Sequence, residues 1–428
     1  MSPSPRLAAL VAGAALTFLF LPPAVPTLII LALLAAAAGD AAAVRRPPQA
    51  ERTVPHIVAR GVPASLSVAV EAGGAEVRVR QPVPPDIDLD PREAAGGLTG
   101  TLVARRRGRH PLPAPAVRVE GRFGLGRVHH RAGRDGEVLV YPDLPAAYRL
   151  VVAVRHGRFR DPGVLTRGPL GLGTDFESIR DYLPDDDIRQ VNWRATARTG
   201  RPMSNQYRVE QDRTVICCID AGRLMAAPVS APSPPGRLVG PPEVPLTRFD
   251  AALDAAVAVA LVADEIGDQA GAIAFDGAVR RRITPRRRGG QAVVGALFDL
   301  EPTSADSDYE LAFRSIGGGK RSLVVVFTDL LEEAAARSLV EAMPVLSRRH
   351  HVVVASVRDP DFDRAVRTPP AEVRDVLAAA VVIESLEARA RVAAQLGRAG
   401  AEVLEAPPGT LAAACVGAYL RAKARSRL

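Results

Sequence analysis

Cysteine, aromatic residues and ordered histidine clusters are all scarce in this chain, and each scarcity removes a class of function. Of the three cysteines, Cys217 and Cys218 are adjacent in an apolar run and Cys415 lies in a helical pattern. No CxxC spacing and no disulfide framework is visible, which leaves them as small buried hydrophobes in a reducing compartment. Aromatic residues make up 4% of the chain and Trp193 is its single tryptophan, so the cores must be built from Val, Leu and Ala. Without zinc-finger spacing or aromatics interleaved with basic residues, a nucleic-acid partner is not expected, in spite of a net charge of +8. That charge suits an acidic partner or an anionic membrane surface. His110, His129, His130 and His156 are scattered among Arg and Gly rather than set at metal-ligand spacing.

What the N-terminus has is a long uncharged run. Leu7 to Gly39 contains 33 residues without a charge, broken by Pro22, Pro23 and Pro26. One straight helix of that length would reach about 50 Å at ~1.5 Å per residue, well beyond a hydrocarbon core of about 30 Å. Two short spans, Leu7 to Leu21 and Pro26 to Ala38, fit better. Arg6 precedes them, and Arg45, Arg46 and Arg52 follow, so the positive-inside rule puts both ends in the cytoplasm. The expectation is a cell-membrane protein with a two-span hairpin over residues 1–50 and a cytoplasmic C-terminal body. A cleaved signal peptide, with Ala-rich sequence near residue 40, is the competing reading.

Residues 51–160 carry short β-rich runs: Leu66 to Val70, Glu76 to Arg80, Leu98 to Val103, Val117 to Glu120, Val138 to Tyr141 and Leu150 to Val154. Gly, Pro and Asp clusters separate them, which predicts an antiparallel, immunoglobulin-like sandwich. Residues 161–212 form a connector. Over residues 213–428 near-continuous apolar strands alternate with helices, the pattern of an α/β domain with a doubly wound, mostly parallel sheet. Ligands of such sheets bind outside the carboxyl ends of the strands, where Asp220 and Asp329 are expected.

The connector contains the densest polar motif, DYLPDDDIRQVNWRATART over residues 181–199. One of Asp185 to Asp187 is placed to cap a short helix that Gly200 can end. Asp186, Asp187, Arg189, Asn192, Trp193 and Arg198 are the candidate interaction residues. Trp193 and Arg198 are placed to lock the two neighbouring domains, with Asp186 and Asp187 left available at the rim. Further on, Arg280, Arg281, Arg282, Arg286, Arg287 and Arg288 put six arginines within nine residues. They suit a solvated edge that blocks strand addition, anionic lipid headgroups or an acidic protein. Gly317-Gly318-Gly319-Lys320 lacks the first Gly and the Ser or Thr of a phosphate loop, so no nucleotide site is expected.

Asp220-Ala221-Gly222-Arg223-Leu224, Ser307-Asp308 and Thr328-Asp329 together resemble the von Willebrand factor A-like fold. That resemblance implies a metal site of Asp220, Ser307 and Asp329, degenerate because Gly222 and Leu224 replace the two serines of Asp-x-Ser-x-Ser. The chain is expected to need no cofactor, a divalent cation such as Mg being the ion an intact site would take. More specifically, Asp181 to Thr199, Glu210, the strand ending at Asp220, Arg348-Arg349-His350-His351-Val352 and Arg358-Asp359-Pro360 resemble bacterial domain-of-unknown-function family fifty-eight. That family comprises membrane-tethered proteins with a von Willebrand A-like domain. Its usual Pro-Gly-Asp-Asp has Asp185 in place of the Gly here. The resemblance implies a partnership with MoxR-type AAA+ ATPases in maturing or remodelling other proteins.

With no nucleophile and oriented base in the sequence, the leading expectation is a non-catalytic, membrane-anchored adaptor or scaffold. Metal-dependent ligand binding through Asp220, Ser307 and Asp329 is the alternative. A metal-dependent hydrolase using Asp186 is a third.

Overall fold

The computed structural model describes residues 2–71, 73, 75–159, 175–183, 188, 191–208, 213–230, 246–317, 320–330 and 333–425. The chain forms two compact units, Met1–Tyr141 and Pro142–Leu428.

In the first unit, strand β1 (Ser2–Pro3) leads into helix α1 (Pro5–Leu16), a 3-10 turn over Thr17–Leu19, and helix α2 (Ala24–Ala43). Ser4 caps α1 by accepting the Leu7 N–H at 3.1 Å, and Pro5 occupies the first turn, where no N–H is needed. Pro22 and Pro23 lie between the helices, as their sequence position implied. α2 has 20 residues with a mean hydropathy of 1.9, long and apolar enough to cross a membrane; α1 is shorter. It runs past Ala38 because Asp40 is not a solvated stop: the carboxylate accepts the N–H groups of Phe123, Leu125 and Gly126 at 3.1, 2.9 and 3.1 Å.

The strands that follow are β2 (Gln49–Thr53), β3 (Ile57–Ala59), β4 (Ala64–Glu71), β5 (Glu76–Arg80), β6 (Ile87–Asp90), β7 (Glu93–Ala95), β8 (Leu98–Ala104), β9 (Gly108–Leu112), β10 (Ala116–Glu120), β11 (Gly126–Arg131) and β12 (Gly136–Tyr141). They make sheets ordered β1-β11-β10-β5-β7, β2-β4-β8-β6 and β3-β12-β9, antiparallel throughout except for β3 with β12. Inward residues alternate with outward ones along each strand, so Leu66, Val79, Ile87, Leu102, Val117 and Val138 meet in one core, as a sandwich requires.

Leu150 to Val154, predicted as a strand, is instead part of helix α3 (Leu144–Arg155) in the second unit. A short β-branched run reads either way, and here the local stop signals decide. Asp143 accepts the Ala146 N–H at 2.9 Å and Pro145 fills the first turn. α3 then packs on the main helix of its own unit through Asp143 N–H to Asp254 and a forked Arg155–Glu265 pair.

The second unit continues with β13 (Asp175–Asp181), α4 (Trp193–Thr199), β14 (Met203–Arg208), β15 (Thr214–Asp220), β16 (Pro228–Val229), β17 (Leu246–Thr247), α5 (Arg248–Glu265), β18 (Gln269–Phe275), β19 (Val279–Arg287), α6 (Gly289–Leu297), α7 (Tyr309–Ile316), β20 (Leu323–Phe327), α8 (Glu333–Ser347), β21 (His351–Val357), α9 (Pro360–Arg367), α10 (Val373–Arg398), β22 (Ala401–Ala406) and α11 (Pro408–Ala424). Its main sheet is ordered β19-β18-β15-β20-β21-β22, parallel except for the edge strand β19. Numbered within the sheet this is 3-2-1-4-5-6, a doubly wound order whose direction reverses between β15 and β20. Ile216 and Cys218 face α7, α8 and α10, whereas Cys217 faces α5, as alternation along a strand buried on both sides demands. Below the sheet Asp268, 1% exposed, receives Lys423 Nζ at 2.6 Å and the Tyr419 hydroxyl at 2.5 Å, which ties α11 to the start of β18.

Two measurements check these packings. A Cβ at Gly126 would stand 2.5 Å from the Ala37 carbonyl oxygen, so Gly126→Val is expected to cost about 1–3 kcal/mol of first-unit stability in denaturant unfolding. Cys217, Cys218 and Cys415 are free and fully buried, and burial pushes the Cys217 thiol up to about 12 and the other two higher still. No thiol is expected to react with Ellman's reagent at pH 8 in the native protein, and all of them after denaturation; fast labelling of the native chain would contradict the packing.

Candidate functional site

The reversal between β15 and β20 leaves a crevice at their carboxyl ends, and the two acids of the sequence expectation arrive there. Asp220 ends β15 and Asp329 stands two residues beyond β20, at 3% and 4% exposure. Neither is left with an open charge.

Asp220 is met by neutral donors. Its Oδ1 accepts the Gly222 N–H at 2.8 Å and the Ser307 hydroxyl at 2.5 Å. Its Oδ2 accepts the hydroxyls of Tyr309 at 2.8 Å and Thr328 at 2.6 Å, and those two hydroxyl oxygens are themselves 2.8 Å apart. Burial, and then the Asp220 charge, push the Tyr309 phenol well above its ordinary range, so it stays protonated and donating. The phenol ring is held by an edge contact with Phe275, centroids 5.5 Å apart. Gly222 is required at its position: a Cβ there would collide with Ser307 Oγ. Ser307 thus brings a hydroxyl to Asp220 from a loop distant in sequence.

Asp329 is met by cations. Arg248 Nη1 lies 2.5 Å from its Oδ1 and Arg389 Nη1 3.4 Å, with both arginine side chains at most 4% exposed. Arg389 also donates to Ser356 Oγ and the Val357 carbonyl at 3.1 Å and pairs with Glu405 at 3.1 Å. Arg248, Arg389 and Asp329 are buried, and Arg389 reaches from them to the more exposed Glu405. Burial still raises the Asp329 carboxyl above its ordinary range, with Arg248 and Arg389 pulling the other way.

A divalent ion does not fit this donor set. A hard cation wants several free oxygen ligands. Asp220 already accepts four hydrogen bonds, Leu224 and Gly222 supply no side-chain oxygen, and a guanidinium stands against Asp329. Among the described residues no group of three or more His, Cys, Asp and Glu is placed to hold a metal.

Arg248 and Arg389 were missed from the sequence, yet both left a trace. Arg248 is the first residue of a helix whose cap is the reciprocal Thr247–Asp250 pair, and a cation there opposes the helix dipole unless it serves a tertiary partner. Arg389 falls on the same stripe as Val392 and Leu396, a lone charge on the buried face of α10. Beside Ser307 a groove of about 470 Å³ opens between α7 and α8, lined by Asp306, Asp308, Glu310 and Glu341 among others.

The connector motif is only partly within view. Asp186, Asp187 and Arg189 lie outside the described residues. α4 begins at Trp193, and its cap is Asn192, which accepts the Ala195 N–H at 2.9 Å and donates to Asn205 Oδ1 at 2.7 Å. Gly200 ends α4 in the left-handed conformation, φ 69°. Trp193 is 69% exposed, with Ile188 at 70% and Leu183 at 54% nearby in sequence. One short helix held by Asn192 and a two-stranded β13–β14 pair has no depth to bury an indole. Arg198 is exposed in the last turn. The arginine run forms β19, the sheet's edge: Arg281, Arg282, Arg286, Arg287 and Arg288 are exposed, and Arg280 pairs with Asp276 at 2.7 Å.

Comparison with known proteins relates this geometry to a family. Residues 178–233 and 240–396 match the profile described as "Protein of unknown function DUF58". Uncharacterised proteins of Mycobacterium bovis and of two strains of Mycobacterium tuberculosis are 27% identical over 231 residues, which is 51% of this chain and 66% of theirs. The match thus spans just under two thirds of those relatives. Among solved structures, a cohesin module of a Clostridium perfringens family 33 glycoside hydrolase (9% identity, TM-score 0.16) covers 22% of this chain and 96% of its own. The sulfur carrier protein SoxY of Chlorobium limicola (20% identity, TM-score 0.14) covers 25% and 97%. Those scores are too low to carry an argument, and the profile match is what relates the second unit to a family: over residues 178–233 and 240–396 this chain is similar to the family of unknown function DUF58.

Proposed function

We propose that this chain is a non-catalytic, membrane-anchored adaptor that engages a protein partner through its DUF58 region. The observation that carries the reading is Trp193: the only tryptophan of the chain stands 69% exposed on a helix inside the family match. Trp and Arg are the residue types of interaction hot spots, and α4 also carries the exposed Arg194 and Arg198. A MoxR-type AAA+ ATPase, acting with it in maturing or remodelling other proteins, is the partner that the family resemblance implies.

The second unit is read as von Willebrand A-like. Its 3-2-1-4-5-6 order, an acid after the first strand and Thr328-Asp329 after a central one support that assignment. Its metal position is read as permanently replaced by side chains, Arg248 and Arg389 holding Asp329 and four protein donors holding Asp220. The rim then works as a rigid surface without a divalent ion. α1 and α2 are read as a two-span hairpin in the cell membrane with the body cytoplasmic, supported by Arg6 before it and Arg45 and Arg46 after it.

In equilibrium binding of the detergent-solubilised chain to a purified MoxR-type ATPase, Trp193→Ala is expected to weaken binding at least ~10-fold. The melting temperature is expected to change little, because most of the ring is exposed. Undiminished binding, or no binding by the wild-type chain, would overturn the reading. Arg248→Ala tests the internal cation. Removing one member of a buried pair costs about 3–5 kcal/mol, and the lower end is expected here because Arg389 remains against Asp329. Stability within 1 kcal/mol of wild type, on the order of a surface substitution, would contradict it.

A further inference from the structure

We infer that the turn between β10 and β11, residues 121–125, is a second point of contact with the bilayer, an interfacial foot that holds the sandwich against the lipid headgroups. The inference rests on the membrane reading of α2 and concerns the first unit alone.

Two backbone N–H groups of the turn, Phe123 and Leu125, and that of Gly126 at the start of β11 converge on one carboxylate, Asp40, which is 6% exposed and lies one turn before the end of α2. The approach is close along its length. A side chain at Gly121 would run into the Asp40 carboxylate, and one at Gly126 into Ala37 and Ala41. The start of α1 reaches the same place: Ser2 and Pro3 pair with Arg127 and Gly126, and the Ser4 N–H donates to the Leu125 carbonyl at 3.2 Å. The entry to α1, the exit of α2 and the turn therefore share one level.

That level is where an apolar helix meets headgroups. Ala24 to Asp40 spans about 24 Å at ~1.5 Å per residue, most of a hydrocarbon core of about 30 Å. Leu28, Leu31 and Leu34 are 66%, 57% and 49% exposed on that stretch, and in α1 Leu10 and Leu16 are 49% and 65% exposed, a surface suited to acyl chains. At the turn the composition changes. Phe123 is 72% exposed at its tip, Arg122 is exposed beside it, and Arg6 lies against Gly124. An aromatic ring with flanking arginines is what membrane interfaces select, the ring among the upper acyl carbons and the guanidinium groups at the phosphates. The carboxylate fits the same level, since an acid in a spanning helix must be satisfied by protein groups or by the interface.

The test uses the full chain in phosphatidylcholine–phosphatidylglycerol vesicles. Trp193→Phe makes it tryptophan-free, and Phe123→Trp, Leu31→Trp or Ile57→Trp is then added singly, with quencher-labelled lipids reading depth. Leu31→Trp is expected to be quenched by labels deep in the acyl chains. Phe123→Trp is expected to be blue-shifted and quenched by labels near the headgroup, and Ile57→Trp, on β3, to keep its full emission. If Phe123→Trp behaves like Ile57→Trp while Leu31→Trp is quenched, the foot is wrong and the span stands. If Leu31→Trp also escapes quenching, the span reading fails and the foot falls with it.

Discussion

Asp329 is buried at the carboxyl end of the central sheet, and how its charge is met decides what that end of the molecule can be. Removing a carboxylate from water costs several kcal/mol even after relaxation, against a total domain stability of about 5–15 kcal/mol. The chain offsets that with Arg248 and Arg389. Each arginine then fixes the element that carries it. Arg248 sets the first turn of α5 beside the end of β20, and Arg389 holds α10 to the ends of β21 and β22 through Ser356, Val357 and Glu405. Asp220, solved differently with four neutral donors, ties the end of β15 to the loop before α7 and to Thr328. A crevice that in a doubly wound sheet ordinarily receives a ligand is here built shut by side chains.

The first unit uses the same device with another donor set. Asp40 would be a defect in a 20-residue apolar helix, but the N–H groups of Phe123 and Leu125 in the turn and of Gly126 at the start of β11 meet it. Glycines at 121 and 126 let the backbone come close enough to do so. A buried acid in each unit thus brings together segments distant in sequence: α2 with β11, and α5 with α10. Both acids are buried, at 6% exposure for Asp40 and 4% for Asp329.

Much of this was legible in the sequence, and the failures have physical causes. The buried strands were plain because apolar runs such as residues 323–327 and 351–357 sit between helical periodicities. Tyr309–Ile316 and His351–Val357 fall where the pattern put them. Leu150 to Val154 went wrong because five apolar residues fit either period and the Asp143–Pro145 cap was outweighed. The site acids were legible as strand-terminal residues, but their partners were not. Ser307, in the loop before α7, and Tyr309, the first residue of α7, lie 87 and 89 positions from Asp220, and Arg389 lies 60 positions beyond Asp329, distances no local pattern encodes. Whether Trp193 is exposed was not legible either, since a lone large aromatic among polar residues carries no periodicity; the ring is 69% exposed.

The central claim is that side chains hold the place a divalent cation would take between β15 and β20. Titration of Mn²⁺ into the full chain, followed by electron paramagnetic resonance of the free ion, tests it most directly. The account predicts that the free-ion signal rises linearly from the first addition and is the same in Asp220→Asn. Stoichiometric depletion of the signal by wild-type protein, abolished in Asp220→Asn, would contradict it.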